Sequence, residues 1–269
     1  MVCEAIKAVY ASVYYKDSKT YMKATKNVIN REKMAVVLQE VCGRPYGNRF
    51  YPSFSGVGRS LNFYPIGNEK PEDGVVNVAL GLGKYIVDGG QTLRFSPKHP
   101  HNILQTSSLE FALNETQTHF NALDISRTTF SPQVDEGFNL FRLPVREAEA
   151  DGTLKYIAST FDPYDQIIRD GLYEAKYRKV ITFANILEHE VFPLADIVDK
   201  VLKVGEREMG RPVEIEFAVN LDYQNNKNNT FYLLQIRPIV DANKSIDEDL
   251  TQIPLDKTLI TSQQALGNG

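Results

Sequence analysis

A chain of 269 residues with 42% hydrophobic and 24% charged side chains is long enough to enclose a hydrophobic core, as one large domain or two small ones. The net charge of −4 speaks against a non-specific nucleic-acid binder, which carries a basic surplus, but leaves room for a local basic patch that meets a small anion. The two cysteines, Cys3 and Cys42, allow neither a disulfide framework nor a zinc spacing, no apolar run reaches the ~20 residues of a membrane span, and "MVCEAIKAVYAS" lacks a secretory leader pattern, so a soluble, reduced, cytoplasmic setting is expected.

In chain order, Ala5, Ile6, Val9 and Val13 recur at three- and four-residue spacing and predict an N-terminal helix; Asp17 or Ser18 is placed to cap a second one through "SKTYMKATKN". "MAVVLQEVCG" is a compact apolar run closed by glycine, the pattern of a buried strand. "SFSGVGRSLNFYP" reads as a strand with a close-approach backbone, and "GVVNVALGLGKYIVDGG" as a Val-rich strand, a Gly-rich stretch and a turn at Asp88-Gly89-Gly90. "SSLEFALNETQTHFNALDIS" reads as a capped helix, "FNLFRLPVREAEADGTLKYIASTF" as two strands around an Asp151-Gly152 turn, and "RKVITFANIL" as another strand. After Pro193, Leu194, Ile197, Val198, Val201 and Leu202 share one face of an amphipathic helix that Gly210-Arg211-Pro212 stops. The strands fall in local hairpins, not in a steady strand–helix alternation. The expected fold class is therefore α+β, an antiparallel sheet with flanking helices.

The last hairpin, "VEIEFAVNLDYQNNKNNTFYLLQIRPIV", carries charges where a core-filling strand has no need of them. Ile215, Phe217, Val219 and Leu221 share one face of the first strand, and Glu214, Glu216, Ala218 and Asn220 the other; on the second strand Gln235 and Arg237 are in step with Leu233. With Leu221 near Phe231, Glu216 falls opposite Ile236, one residue from Gln235, so that a carboxylate, an amide oxygen and a guanidinium converge. Hard oxygen donors of this kind suit Mg²⁺, and the arginine suits a phosphate. The competing reading is a surface ladder in which Glu214 or Glu216 simply pairs with Arg237, with Glu214 exposed at the strand edge. Elsewhere, Gly81-Leu82-Gly83 has neither dinucleotide nor P-loop spacing, His99 and His101 have no third ligand nearby in sequence, His189 between two glutamates fits a solvated helix face, and Ser55 is not in a nucleophile elbow.

"EIEFAVN" followed by "FYLLQIRP" resembles the end of the nucleotide-binding domain of phosphoenolpyruvate synthases and pyruvate phosphate dikinases, an ATP-grasp fold. Three more segments resemble that family in its own order: "MAVVLQEVCG" the strand into the adenine hinge, "SGVGRSLNFYP" the Ser-Gly-Val strand, and "NVALGLGKYIVDGG" the Gly-Leu-Gly element. The resemblance implies that Glu216 and Gln235 are metal ligands holding Mg²⁺ beneath the phosphates of ATP, that Arg237 is a catalytic residue beside those phosphates, and that Gln39, Glu40 and Val41 present backbone groups and an amide to the adenine edge. It departs from the family where Asn77 and Lys84 stand in place of acids, and where Leu61 stands in place of an arginine. It further implies that residues 1–269 are part of one ATP-grasp domain, incomplete at its phosphate clamp, with an inserted segment at 91–192 and a tail at 243–269 leading to a swivelling domain that the chain lacks. The implied function is the ATP-binding portion of a phosphoenolpyruvate synthase-like phosphotransferase. In the parent enzyme ATP, pyruvate and water become AMP, phosphoenolpyruvate and phosphate; pyruvate is met through the rest of that parent, and this chain alone is expected to be inactive. Neither nucleic acid nor membrane is an expected partner. Two alternatives stand beside it: a non-catalytic nucleotide-binding or interaction module, which Asn77 and Lys84 favour, and a dikinase relative with another acceptor, such as a glucan or an antibiotic.

Overall fold

Period-two segments of the chain pair with one another, and one long amphipathic helix closes over the sheet they form. The computed structural model describes residues 2–16, 18–20, 34–126, 137, 139–224 and 228–239. In chain order these form α1 (Val2–Ser12), β1 (Arg44–Tyr46), β2 (Arg49–Tyr51), β3 (Phe54–Arg59), β4 (Val75–Ala79), α2 (Lys84–Val87), β5 (Leu93–Phe95), α3 (Leu109–Asn114), β6 (His119–Asp124), β7 (Leu140–Pro144), α4 (Val145–Ala150), β8 (Ala158–Asp162), β9 (Ile167–Asp170), β10 (Lys179–Ile181), α5 (Ala184–Leu187), α6 (Leu194–Met209), β11 (Val213–Asn220) and β12 (Thr230–Pro238). A five-stranded sheet has the order β12-β11-β3-β4-β5, a four-stranded sheet the order β1-β2-β6-β7, and a three-stranded sheet the order β10-β8-β9. Each pairing is antiparallel, so the architecture is α+β.

The core lies between the five-stranded sheet and α6. Ile215, Phe217 and Val219 of β11, Val76 and Val78 of β4, and Leu93 and Phe95 of β5 are buried, and Leu194, Val198 and Leu202 of α6 meet them in one cluster. Each such side chain contributes about 1.5–3 kcal/mol by leaving water. Gly205 lets the helix come close: a Cβ there would lie 2.5 Å from Ile236 Cδ1. The helix ends where Gly210 takes φ 66° and its N–H donates to Glu206 O, a conformation glycine adopts without strain. The same cluster continues toward the smaller sheets: Phe54 of β3 meets Phe183, just beyond β10, edge-on at 5.3 Å, and Tyr51 of β2 meets Phe120 of β6 at 4.9 Å. Residues 91–192 thus start in β5 at the edge of the main sheet, run through both smaller sheets and return at α5.

Several local readings change in the structure. Residues 34–43 are irregular, not a buried strand: they join none of the described sheets, and Val37 is 84% exposed. The predicted helix over 107–126 stops at Asn114. Ser108 Oγ does cap it, accepting from Phe111 N, but from His119 onward Phe120 and Ala122 alternate inward as β6. Asp151-Gly152 does not join a hairpin: Val145–Ala150 is helical, β7 pairs with β6, and β8 pairs with β9 and β10. "FANIL" forms α5 after β10 ends. Helix α1 forms but buries none of its residues. Most of the second predicted helix, part of the β11–β12 loop and the 243–269 tail lie outside the described residues.

Candidate functional site

With α6 on one face of the main sheet, the other face gathers the polar side chains in rows set by strand register. Glu214 partners Arg237 on β12 and Arg59 on β3; Glu216 partners Gln235 and Val57; Val57 in turn partners Asn77. The β11–β12 ladder has a bulge between Glu216 and Phe217, so Phe217 partners Leu233 and the chain gains Leu234. The bulge corrects the sequence register: Gln235, not Ile236, stands opposite Glu216, and Leu233 falls out of step with Gln235.

Glu214 also differs from expectation. It is 6% exposed, not at an open edge, because β3 runs on its far side. Its Oε2 accepts from Arg59 Nε at 2.6 Å and its Oε1 from Arg237 Nε at 2.8 Å and from Arg237 Nη2. Burial alone would raise this carboxyl; the hydrogen bonds and charges of the two guanidiniums outweigh it and hold the group below the ordinary glutamate range. The Arg237 pKa is raised, first by that hydrogen bond and also by the Glu216 charge, while its side chain stays 59% exposed. The surface-ladder reading thus describes the Glu214–Arg237 pair. Glu216 is different. Among the described residues neither its carboxylate nor the Gln235 amide makes a hydrogen bond or salt bridge, so two oxygen donors face each other across the ladder uncommitted. One carboxylate and one amide oxygen fit the hard-donor chemistry of Mg²⁺, which keeps several waters and takes further ligands from substrate phosphates.

Further along the same face, residues 39–43 stand against β12 and leave an open groove of about 600 Å³. Gln39, Glu40 and Val41 line one side, Phe231 to Leu234 the other, and Phe50 and Asn220 complete it. Gln39 Nε2 donates to Leu234 O at 3.0 Å, so this amide ties the irregular segment to the bulge. Glu40 and Val41 are exposed.

Two other motif segments prove to be held together by their polar groups. Ser55 Oγ donates to Gly81 O at 2.8 Å, joining the Ser-Gly-Val strand to the Gly-Leu-Gly turn. Gly81 needs its missing side chain, since its φ is 83° and a Cβ would lie 2.6 Å from Asn121 O. Asn62 donates to Glu69, whose buried carboxylate is gripped by Arg94 through both terminal nitrogens. Asn77 Oδ1 accepts from Thr92 Oγ1, and Lys84 pairs with Asp88 one helical turn on, so the two positions that depart from the resemblance sit in local hydrogen bonds. Single-sequence reading missed the Arg59–Glu214 and Arg94–Glu69 pairings, because only strand order brings those residues together. Away from this face, Asp170, Glu188 and His189 place ligand atoms within 4.8 Å of one another, all three exposed, with His189 Nε2 at 3.0 Å from Asp170 Oδ2. In the described residues no helix is long and apolar enough to cross a membrane.

A mixed sheet-and-helix domain of the ATP-grasp-like kind, with a polar sheet face and a groove beside it, is the class that this architecture defines. The family described as "Pyruvate phosphate dikinase, AMP/ATP-binding domain" matches residues 1–254, and the chain belongs to it. Among curated proteins no relative matches. The chain is therefore an ATP- or AMP-binding portion of that transferase family.

Proposed function

We propose that this chain forms the base-binding and metal-binding wall of a phosphoenolpyruvate synthase-like phosphotransferase that works with Mg·ATP in the cytoplasm and passes a phosphoryl group toward pyruvate. The single observation that carries the reading is the Glu216–Gln235 pair, uncommitted and face to face, while the adjacent Glu214 is fully engaged by two arginines. In this reading the base enters the groove between Gln39, Glu40, Val41 and β12. Glu216 and Gln235 hold Mg²⁺, and the metal when bound neutralises phosphate charge and orients the triphosphate. Arg237, positioned by Glu214, extends its exposed guanidinium toward the same phosphates. Positioning and electrostatic stabilisation are the work that phosphoryl transfer asks of a protein.

The described residues form one wall and do not surround a triphosphate. Affinity is therefore expected in roughly the millimolar range, worth about 4 kcal/mol. Most of it depends on Mg²⁺, because phosphates and Glu216 repel one another without it. Calorimetric titration of ATP with and without Mg²⁺ tests this on the wild type and on Glu216→Gln, which keeps the shape and removes the charge. The metal dependence should vanish in the variant with its thermal stability little changed. Equal, equally metal-dependent binding in both proteins contradicts the role of Glu216. A second reading, nucleotide binding without transfer, is favoured by Asn77 and Lys84 standing where the family resemblance leads one to expect acids. It predicts the same Mg·ATP binding with no phosphoryl transfer in the full-length protein.

A further inference from the structure

One row of the polar face holds two cations and one anion. Arg237 on β12, Glu214 on β11 and Arg59 on β3 stand directly opposite one another, and the next member of the row, Val75 on β4, carries no charge. The carboxylate divides its oxygens between the two arginines: Oε1 accepts from Arg237, and Oε2 accepts from Arg59 Nε at 2.6 Å. Glu214 is nearly buried, so its charge is met by these guanidiniums more than by water. The arginine side chains remain 46% exposed at Arg59 and 59% at Arg237. Among the described residues Arg59 makes no other side-chain hydrogen bond or ion pair. The row therefore carries one surplus positive charge. It lies two residues along β11 from Glu216, about 7 Å at the usual rise of a strand.

We propose that Arg59 is a positioning residue for this face: by meeting part of the Glu214 charge, it leaves Arg237 with positive charge that a polyanion can use. The inference rests on the nucleotide reading above and adds a residue that acts through Glu214 and touches no phosphate itself. Without Arg59, Arg237 would be the sole counter-charge of a carboxylate that water hardly reaches. The row would then be neutral, and both carboxylate oxygens would compete with an incoming phosphate for the same guanidinium fork. With Arg59 in place, one oxygen is already taken, and Arg237 can turn part of its fork outward without leaving Glu214 unpaired. The role needs a positive charge at residue 59 and an anion at residue 214. Lysine at 59 keeps that charge; glutamine keeps a hydrogen-bond donor and loses it.

The test is calorimetric titration of the whole chain with Mg·ATP, in the wild type, in Arg59→Gln, in Arg59→Lys and in the double variant Arg59→Gln with Glu214→Gln. Arg59→Gln should weaken binding about tenfold, the factor that about 1.4 kcal/mol gives. Arg59→Lys should stay within about threefold of the wild type. The double variant should return to about the wild-type affinity, because no carboxylate is then left in the row to occupy Arg237. It also serves if the single glutamine variant does not fold, since it leaves no buried charge short of a partner. Adenosine, which carries no phosphate, should bind all four proteins alike when followed by ligand-observed NMR; a general disturbance of the sheet would weaken it too. A double variant that binds Mg·ATP about tenfold more weakly than the wild type overturns the inference, because Arg59 would then act on the nucleotide directly and not through Glu214. Undiminished binding by Arg59→Gln, no rescue by lysine, or an equal loss of adenosine also overturns it and leaves the nucleotide reading in place. Failure of the wild type to bind Mg·ATP overturns both together.

Discussion

Burial and pairing act in opposite directions on the carboxyls of Glu214 and Glu69. In each, desolvation pushes the pKa up and hydrogen bonds pull it further down: Arg59 and Arg237 for Glu214; Arg94, the Ile66 amide and Asn62 for Glu69. The folded pKa therefore lies below the unfolded value of about 4.3. A carboxyl depressed in this way contributes stability above its unfolded pKa and loses it as pH falls through its folded pKa. Thermal melts followed by circular dichroism should thus show a midpoint that begins to drop only below about pH 4 to 5 from these groups. Glu214→Gln should cost about 1–3 kcal/mol at neutral pH and flatten part of that acid limb; an unchanged acid limb would count against the pairing. Glu69→Ala should cost more, about 3–5 kcal/mol, because it strands the Arg94 guanidinium, only 14% exposed, beside an empty site. Chemical denaturation at pH 7 measures that difference.

Strand β3 can lie against β11 because Gly56 has no side chain: a Cβ there would sit 2.2 Å from the Phe217 ring, which itself stacks on Phe231 at 4.9 Å. Gly56→Ala should cost about 1–3 kcal/mol by overpacking. Phe217→Leu in the same chain should recover part of the loss, a coupling that a double-mutant cycle reads directly; simple additivity would show that the ring is not what the methyl meets. These elements also show which patterns are legible without a structure. Helix α6 is legible because Leu194, Val198 and Leu202 repeat at helical spacing up to a glycine stop, and β11 because its apolar residues alternate. The apolar run at 34–43 has no period that separates a buried strand from an exposed hinge. "HFNALD" is too short for its alternation to stand out against the helix before it. At the site, the residue types were legible but not their neighbours. Glu214 looks like an edge residue until β3 is known to lie beyond it, and the bulge that sets Gln235 opposite Glu216 leaves no mark in the composition of β12.

Across the whole molecule, α6 closes one face of the main sheet and leaves the other with three features in line: the arginine-bound Glu214, the Glu216–Gln235 pair, and the groove that ends at Asn220. Charged side chains gather at one end of this line, and Val41, Phe231, Leu233 and Leu234 line the groove at the other. The central claim is that a metal–nucleotide complex lies along this face with its metal at Glu216 and Gln235. Paramagnetic broadening of backbone amide signals by Mn·ATP measures this most directly, since broadening falls steeply with distance from the ion. The account predicts the strongest broadening at Glu216, Gln235 and Arg237, weaker broadening at Val41 to Gly43, and its disappearance in Glu216→Gln. Broadening centred elsewhere, for example on Asp170 and His189, or undiminished in that variant, would contradict it.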